Sequence, residues 1–276
     1  MTMKMGSLFS GIGGLDLGLE RSIPGLQTVW QVEKEEFCRS ILERHWPNTK
    51  RYNNVLHVGA DNLEPVDVIC AGFPCQSISI SGKMEGLENE EKSGLWWHVH
   101  RLVSEFRSIG HEPILVLENV ANIIRVGGPD VVGSLAAIGY DIEWTTISAA
   151  QCGAPHLRRR WFGVAYPSTI GCYMRNAMAF GELVDGRWTT ADTNSTRTQV
   201  QTEGKQPSEQ MSRSTSKTYW QGFPTQSPVC RRDDGIPNRV DRLRALGNAV
   251  VPQCAEWIGQ QIINSGLLEV VCSQKN

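Results

Sequence analysis

The chain has 276 residues, 40% of them hydrophobic, which suffices for one large α/β domain with a filled core and a modest appendage. Lysine and arginine number 27 against 29 acids, so a net charge of -2 excludes a protein that coats nucleic acid by bulk charge, and any such surface must be a local patch. No apolar run reaches the roughly 18 residues of a membrane span, the opening MTMKMGSLFSG lacks the order of a secretion signal, and the cysteines are scattered without a CxxC pair, so reduced thiols, no metal site and a cytoplasmic location are expected.

Short apolar runs alternate with helical stretches along the first two-thirds of the chain, the pattern of a sheet with helices on both faces. The first predicted strand, residues 4–9, runs through the glycine-rich turn Phe9-Ser-Gly-Ile-Gly-Gly14 into a helix over 15–21. A second strand over 28–32 ends at Glu33 and leads into a helix over 35–45. The third, over 66–71, breaks at Gly72 and delivers Pro74-Cys75 at its carboxyl edge, where ligands bind in open α/β sheets. A glycine- and serine-bearing loop over 77–94 precedes a helix over 93–109.

Strand 114–118 then ends in Glu118-Asn119, an acid and an amide where more apolar residues would be ordinary. A helix over 131–138 and strands over 140–148 and 161–165 follow, with Gly110 and Gly139 as stop signals for the two preceding helices. Residues 189–217 are rich in Ser, Thr, Gln and Arg with no clear period and read as a loop-dominated insert. Order returns over 249–263, where apolar residues at helical spacing predict a terminal helix packed back on the first domain. The expected architecture is a doubly wound, mostly parallel sheet.

Three constellations carry chemistry. The turn Ser10-Gly-Ile-Gly-Gly-Leu15 brings backbone N–H groups and a helix start close to a ligand, glycine being needed because a Cβ would hold the ligand away. Some 20 residues on, Glu33 can accept hydrogen bonds from ribose hydroxyls, a pairing that suits an adenosine-containing cofactor; Phe9 can stack on adenine or sit in the core. At the other end Cys75 differs from Cys38, Cys70 and Cys254, which read as small buried hydrophobes, by its place at a strand edge. The run His156-Leu-Arg-Arg-Arg160 puts Arg158 and Arg160 on one face if extended, where two guanidinium groups can hold a phosphate or a base carbonyl.

In order, FSGIGGLDLGLE, GFPCQS, ENV, HLRRR and GNAVVP resemble the C5-cytosine DNA methyltransferase family. The resemblance implies a Rossmann-like class I S-adenosylmethionine-dependent methyltransferase domain over 1–167, a small irregular target-recognition region over 168–238, and a return to the first domain over 239–276. It implies S-adenosylmethionine as cofactor, held by Phe9, Ser10, Gly11, Gly13, Gly14, Leu15, Glu33, Asn54, Val55, Pro74, Asn248 and Ala249. Cys75 is then the nucleophile, Glu118 the acid that engages the cytosine ring nitrogen N3, and Arg160 the arginine on the cytosine carbonyl. Arg158 positions the catalytic loop and contacts DNA with Gln76, Ser79, Ser81 and Gly82, while Asn119 braces the proline-cysteine segment.

The chain departs from the family pattern in three places: Ser7 stands where an acid often precedes Phe9, Asn54 where an aspartate often meets adenine, and His156 where glutamine is usual. The partners expected from the resemblance are double-stranded DNA and, in the cell, a cognate restriction endonuclease; the chain is expected to be a monomer off the membrane. The rival within the fold is tRNA cytosine-5 methylation by a similar site. A nicotinamide oxidoreductase is disfavoured by the glycine spacing, and a noncatalytic scaffold by the joint presence of Cys75, Glu118 and Arg160.

The chemistry needs these residue types. Carbon 5 of cytosine is a poor nucleophile until a thiolate adds to carbon 6, and a free thiol of pKa about 8.5 needs help to ionise at neutral pH. Addition sends negative charge toward N3 and the carbonyl, so a protonated Glu118 and a cationic Arg160 would stabilise charge where it develops. Glu118 must then have a raised pKa when substrate is bound, above the ordinary carboxyl value of about 4.3. A base inside a duplex must be flipped out for this attack.

Overall fold

The computed structural model describes residues 2–74, 94–170 and 238–273. In chain order the main elements are β1 (Met3–Leu8), α1 (Gly14–Ser22), β2 (Leu26–Val32), α2 (Glu36–His45), β3 (Lys50–Tyr52), β4 (Val68–Gly72), α3 (Leu95–Ser108), β5 (Ile114–Val120), α4 (Ile123–Val126), α5 (Gly128–Ala137), β6 (Tyr140–Ser148), β7 (Arg159–Pro167), α6 (Arg239–Asn248), α7 (Pro252–Asn264) and α8 (Leu267–Ser273). The strands form one sheet in the order β3-β2-β1-β4-β5-β7-β6. Its first five members run parallel, and β7 alone is reversed, pairing antiparallel with β5 on one side and β6 on the other.

The central strands are buried on both faces, which is why they read as near-continuous apolar runs. In β5 the first six residues are all buried, Glu118 and Asn119 included. On one face Leu15 and Leu19 of α1, Ile258 and Ile262 of α7 and Leu267 of α8 pack over Met5, Cys70 and Val116. On the other, Trp96, Leu102 and Phe106 of α3 and Leu135 of α5 cover Ile69, Leu115 and Leu117. This is the doubly wound, Rossmann-like arrangement expected.

Glycine at two helix contacts lets the C-terminal segment close on the first domain. A Cβ at Gly18 would lie 2.4 Å from the Ala255 Cβ and 2.4 Å from the Pro252 carbonyl, and one at Gly259 would lie 2.0 Å from the Ser22 hydroxyl. The α1 and α7 backbones therefore approach as only small residues allow. The expected terminal helix is found where the period placed it, with Pro252 opening its first turn.

Differences from the expected elements are at the margins. Strand β3 is three residues, KRY, too short for an alternating pattern to register. Helix α6 has Val240 and Leu246 largely exposed, so it lacks the apolar stripe by which a helix is read. Gly110 and Gly139 do end α3 and α5, both with positive φ (82° and 74°). After α3 the Gly110 N–H meets the Arg107 carbonyl and the His111 N–H that of Phe106, a Schellman closure. Among the described residues no helix is long and apolar enough to cross a membrane.

Candidate active site

Of the candidate residues that are described, those of the glycine turn, Glu33, Pro74, Glu118 and Asn119 lie at the carboxyl ends of β1, β2, β4 and β5, the edge at which open α/β sheets bind ligands. Beyond β1 the chain turns sharply through three left-handed residues, Phe9 (φ 54°), Gly11 (φ 55°) and Gly13 (φ 82°). A phenylalanine in that region holds about 1–3 kcal/mol of backbone strain, which the surroundings must overcome. They do so with the Ser10 N–H on the Val32 carbonyl, the Gly13 N–H on the Ser10 carbonyl, and the Ser10 hydroxyl on the Ser7 carbonyl. Phe9 itself is half-buried against the second core cluster, leaving part of its ring exposed at the turn.

The glycines of this turn serve different ends, and this corrects the single reason expected for them. A Cβ on Gly11 would meet nothing within 4 Å, so this residue alone presents the open backbone a ligand could approach. At Gly13 a Cβ would strike the Trp46 ring at 2.4 Å, and at Gly14 the Val250 carbonyl oxygen at 2.2 Å. Gly14 is thus required by the protein's own C-terminal segment, which brings Val250 against the glycine turn. Leu15 is buried in the core.

Glu33 reaches back from the end of β2. Its carboxylate accepts the Gly11 N–H at 2.7 Å and the Glu35 N–H at 2.8 Å, fixing the turn to the neighbouring strand while lone pairs remain for a hydroxyl ligand. Asn54 caps a turn of 3-10 helix, its side-chain oxygen accepting the Leu56 N–H at 3.0 Å. Val55 has its side chain buried in the core, and its carbonyl accepts from Arg101. Asn248 is exposed at the end of α6.

At the reactive end, Gly72 of β4 stands in register with Glu118 of β5. A Cβ at Gly72 would come to 3.4 Å from Glu118 Oε2, so the small residue leaves the carboxyl room beside the backbone. Across β7 the Arg160 Nε lies 3.1 Å from Glu118 Oε1, and that carboxyl is only 9% exposed. Burial pushes Glu118 up to about 7 against the pull of Arg160 and then of Arg158. Desolvation outweighs two nearby cations, and the acid is poised to carry its proton at neutral pH.

Arg158 and Arg160 both act on Glu118, as expected of an extended run with Arg159 turned away to solvent. Arg158 donates through Nη1 to the Gly247 carbonyl at 2.8 Å; its Nε and Nη2 are buried with no partner among the described residues. Asn119, 2% exposed, donates to the Phe73 carbonyl at 2.8 Å and accepts the Val120 N–H, tying the end of β5 to the segment that enters Pro74. Pro74 is exposed. Cys75, Gln76, Ser79, Ser81 and Gly82 lie outside the described residues.

Two of the described thiols, Cys38 and Cys70, are of another kind. Burial raises Cys38 to about 11 and Cys70 well above the usual thiol value, which makes both inert. Two further residues carry no signal in the sequence. Asp16 is buried beneath the turn with Gln31, and an acid in the first turn of a helix is ordinarily explained by the helix dipole.

The family model of C-5 cytosine-specific DNA methylase matches residues 3–228. The chain belongs to that family. It is 31% identical over 162 residues to the type II methyltransferase M2.BsuMI of Bacillus subtilis (strain 168), covering 57% of this chain and 40% of the relative. To the type II methyltransferase M.CviJI of Paramecium bursaria Chlorella virus IL3A it is 35% identical over 168 residues, covering 60% of this chain and 43% of that one. To M.Bsp6I of Bacillus sp. (strain RFL6) it is 27% identical over 170 residues, covering 59% and 52%. The chain thus matches about half or less of the length of these relatives. Within the methylase family the class I S-adenosylmethionine-dependent fold is the one the sheet order describes, and methyl transfer at cytosine is the chemistry its name carries.

Proposed function

We propose that this chain is a DNA (cytosine-5-)-methyltransferase, acting on a cytosine flipped out of a specific double-stranded sequence through a covalent Cys75 adduct. The observation that carries the reading is the buried Glu118 beside Arg160, raised to about 7, with Asn119 holding the carbonyl two residues before Cys75. S-adenosylmethionine supplies the methyl group on a sulfonium centre; the open backbone of Gly11 and the Glu33 carboxylate fit an adenosine-bearing ligand.

The residues of the chain do the rest. The Cys75 thiolate adds to carbon 6 of the ring, and Glu118 gives its proton toward N3 while Arg160 meets the charge on the carbonyl. The electron-rich carbon 5 takes the methyl group. Loss of its proton to a base then expels the thiolate, and the N3 proton returns to Glu118 as the neutral ring is restored. The residues of 168–238 would read base edges in the major groove, consistent with their Arg, Gln, Ser, Thr and Asn content. Arg158 with Gln76, Ser79, Ser81 and Gly82 would contact DNA near the flipped base. The enzyme would act as a monomer in the cytoplasm, alongside a restriction endonuclease where one is encoded.

The test is transfer of radiolabelled methyl to unmethylated duplex DNA and to tRNA, with Cys75→Ser in parallel and the labelled base mapped. Label at carbon 5 of DNA cytosine that falls by at least about 10³-fold in the variant supports the proposal. Label on tRNA alone transfers the reading to the RNA-methylating branch, and label that survives in Cys75→Ser removes the covalent route.

A further inference from the structure

Asp16 is fully buried in the first turn of α1, and the side chains that bond it are neutral. The Ser7 hydroxyl of β1 donates to its Oδ2 at 3.0 Å and the Gln31 amide of β2 to its Oδ1 at 2.9 Å. The charged group that acts on it most, Glu20, has the same sign, and the Cys70 thiol of β4 bonds to the same Ser7 hydroxyl. Burial lifts Asp16 to about 6, below neutral pH, and among the described residues no cation is paired with its carboxylate. Gln31 adds a second irregularity, a buried Oε1 without a partner among the described residues.

The place of this network gives it meaning. Ser7 lies two residues before the left-handed Phe9, and its carbonyl accepts the Ser10 hydroxyl, so the carboxylate is two hydrogen bonds from the turn that presents Gly11. The space beside Ser7 is filled here by a carboxylate from the facing helix.

We infer that Asp16 is a positioning residue of the cofactor turn: from α1 it holds a buried carboxylate against Ser7, beside the turn, and its charge favours a sulfonium cofactor over the neutral thioether product. This rests on the reading that the chain binds S-adenosylmethionine. Buried negative charge near a bound cation is weakly screened, so its loss reaches the cation and leaves an uncharged ligand nearly untouched.

Titration calorimetry of the full chain with S-adenosylmethionine and with S-adenosylhomocysteine gives the affinity ratio of the two ligands. Asp16→Asn, which keeps size and the bond from Gln31 while the Ser7 hydroxyl turns to accept from its amide, is expected to weaken the sulfonium ligand about tenfold and the thioether less than about threefold. The exchange of Ser7→Asp with Asp16→Ser is expected to restore the wild-type ratio, and thermal melting checks that each variant is folded. A wild-type ratio in Asp16→Asn overturns the inference, as does a folded exchange variant that stays defective. A wild-type chain that binds neither ligand overturns the cofactor reading itself and the inference with it.

Discussion

The two ends of the site each bury a carboxyl group, and they hold it in opposite ways. Glu118 has two arginines near it, yet it is pushed higher, to about 7, than Asp16, which reaches about 6 with neutral partners. Asp16 accepts direct hydrogen bonds on both oxygens, and bonds to the charged form favour that form. Glu118 has Arg160 on one oxygen, and its other oxygen faces Gly72. A carboxyl fully enclosed by donors can act only as a fixed charge. One left with an open oxygen can exchange a proton with whatever enters the site.

Glu118→Gln tests that division most severely. The amide keeps the shape and can donate a hydrogen bond, but it has no proton to give. We expect kcat/KM for DNA to fall by about 10²-fold or more, while S-adenosylmethionine affinity stays within about threefold. In the wild type the rate should fall as pH rises through about 7, because the protonated form is the active one, and the variant should lose that limb. Stability follows the same sign. The folded state holds this proton more tightly than the unfolded chain, so the Glu118 contribution is full at low pH and declines as pH rises from about 4.5 to 7. A variant that loses cofactor affinity and rate together would merge the two ends into one.

How much of this was visible in the sequence depended on what each residue packs against. The central strands were legible because burial on both faces leaves them apolar, and Glu118 and Asn119 stood out as polar residues ending such a run. Arg158 and Arg160 were paired by the two-residue period of a strand; β7 begins at Arg159, so Arg160 lies on it and Arg158 immediately before its start. The glycine turn was legible as a turn, but its reasons were not. That Gly14 faces Val250, some 236 positions away, is a fact of tertiary closure with no local trace. Asp16 was missed for the same cause: its partners Ser7 and Gln31 sit on two different strands.

Gly14→Ala sharpens the contrast from the cofactor side. Its methyl group would be driven to 2.2 Å from a backbone oxygen, where no flexible side chain can yield. Separation of α1 from the Val250 segment should cost about 1–3 kcal/mol of unfolding free energy, read by denaturant titration. Because the same segment abuts the turn, S-adenosylmethionine affinity should fall as well. Glu118 should keep its proton affinity, which a pH profile of the rate would report. An alanine accepted without loss would mean the segment can slide, and that closure of α7 on α1 rests on Gly18 and Gly259 instead.

The smallest effect is expected where a single helix touches both ends. Helix α6 is held at the reactive end by Arg158 on the Gly247 carbonyl and at the cofactor end by Arg244, whose two nitrogens meet the two Glu35 oxygens at 2.9 and 3.2 Å. The second contact is a bidentate pair, but Arg244 is 63% exposed and Glu35 45%, so water and salt screen it. Arg244→Ala should therefore lower stability by less than about 1 kcal/mol, and the difference should shrink further in high salt. Rate and cofactor affinity should stay near wild type, since Glu33 rather than Glu35 holds the turn. A loss of several-fold in both, unaffected by salt, would show α6 to be a strut that couples the ends, and the independence drawn from the two carboxylates would fail with it.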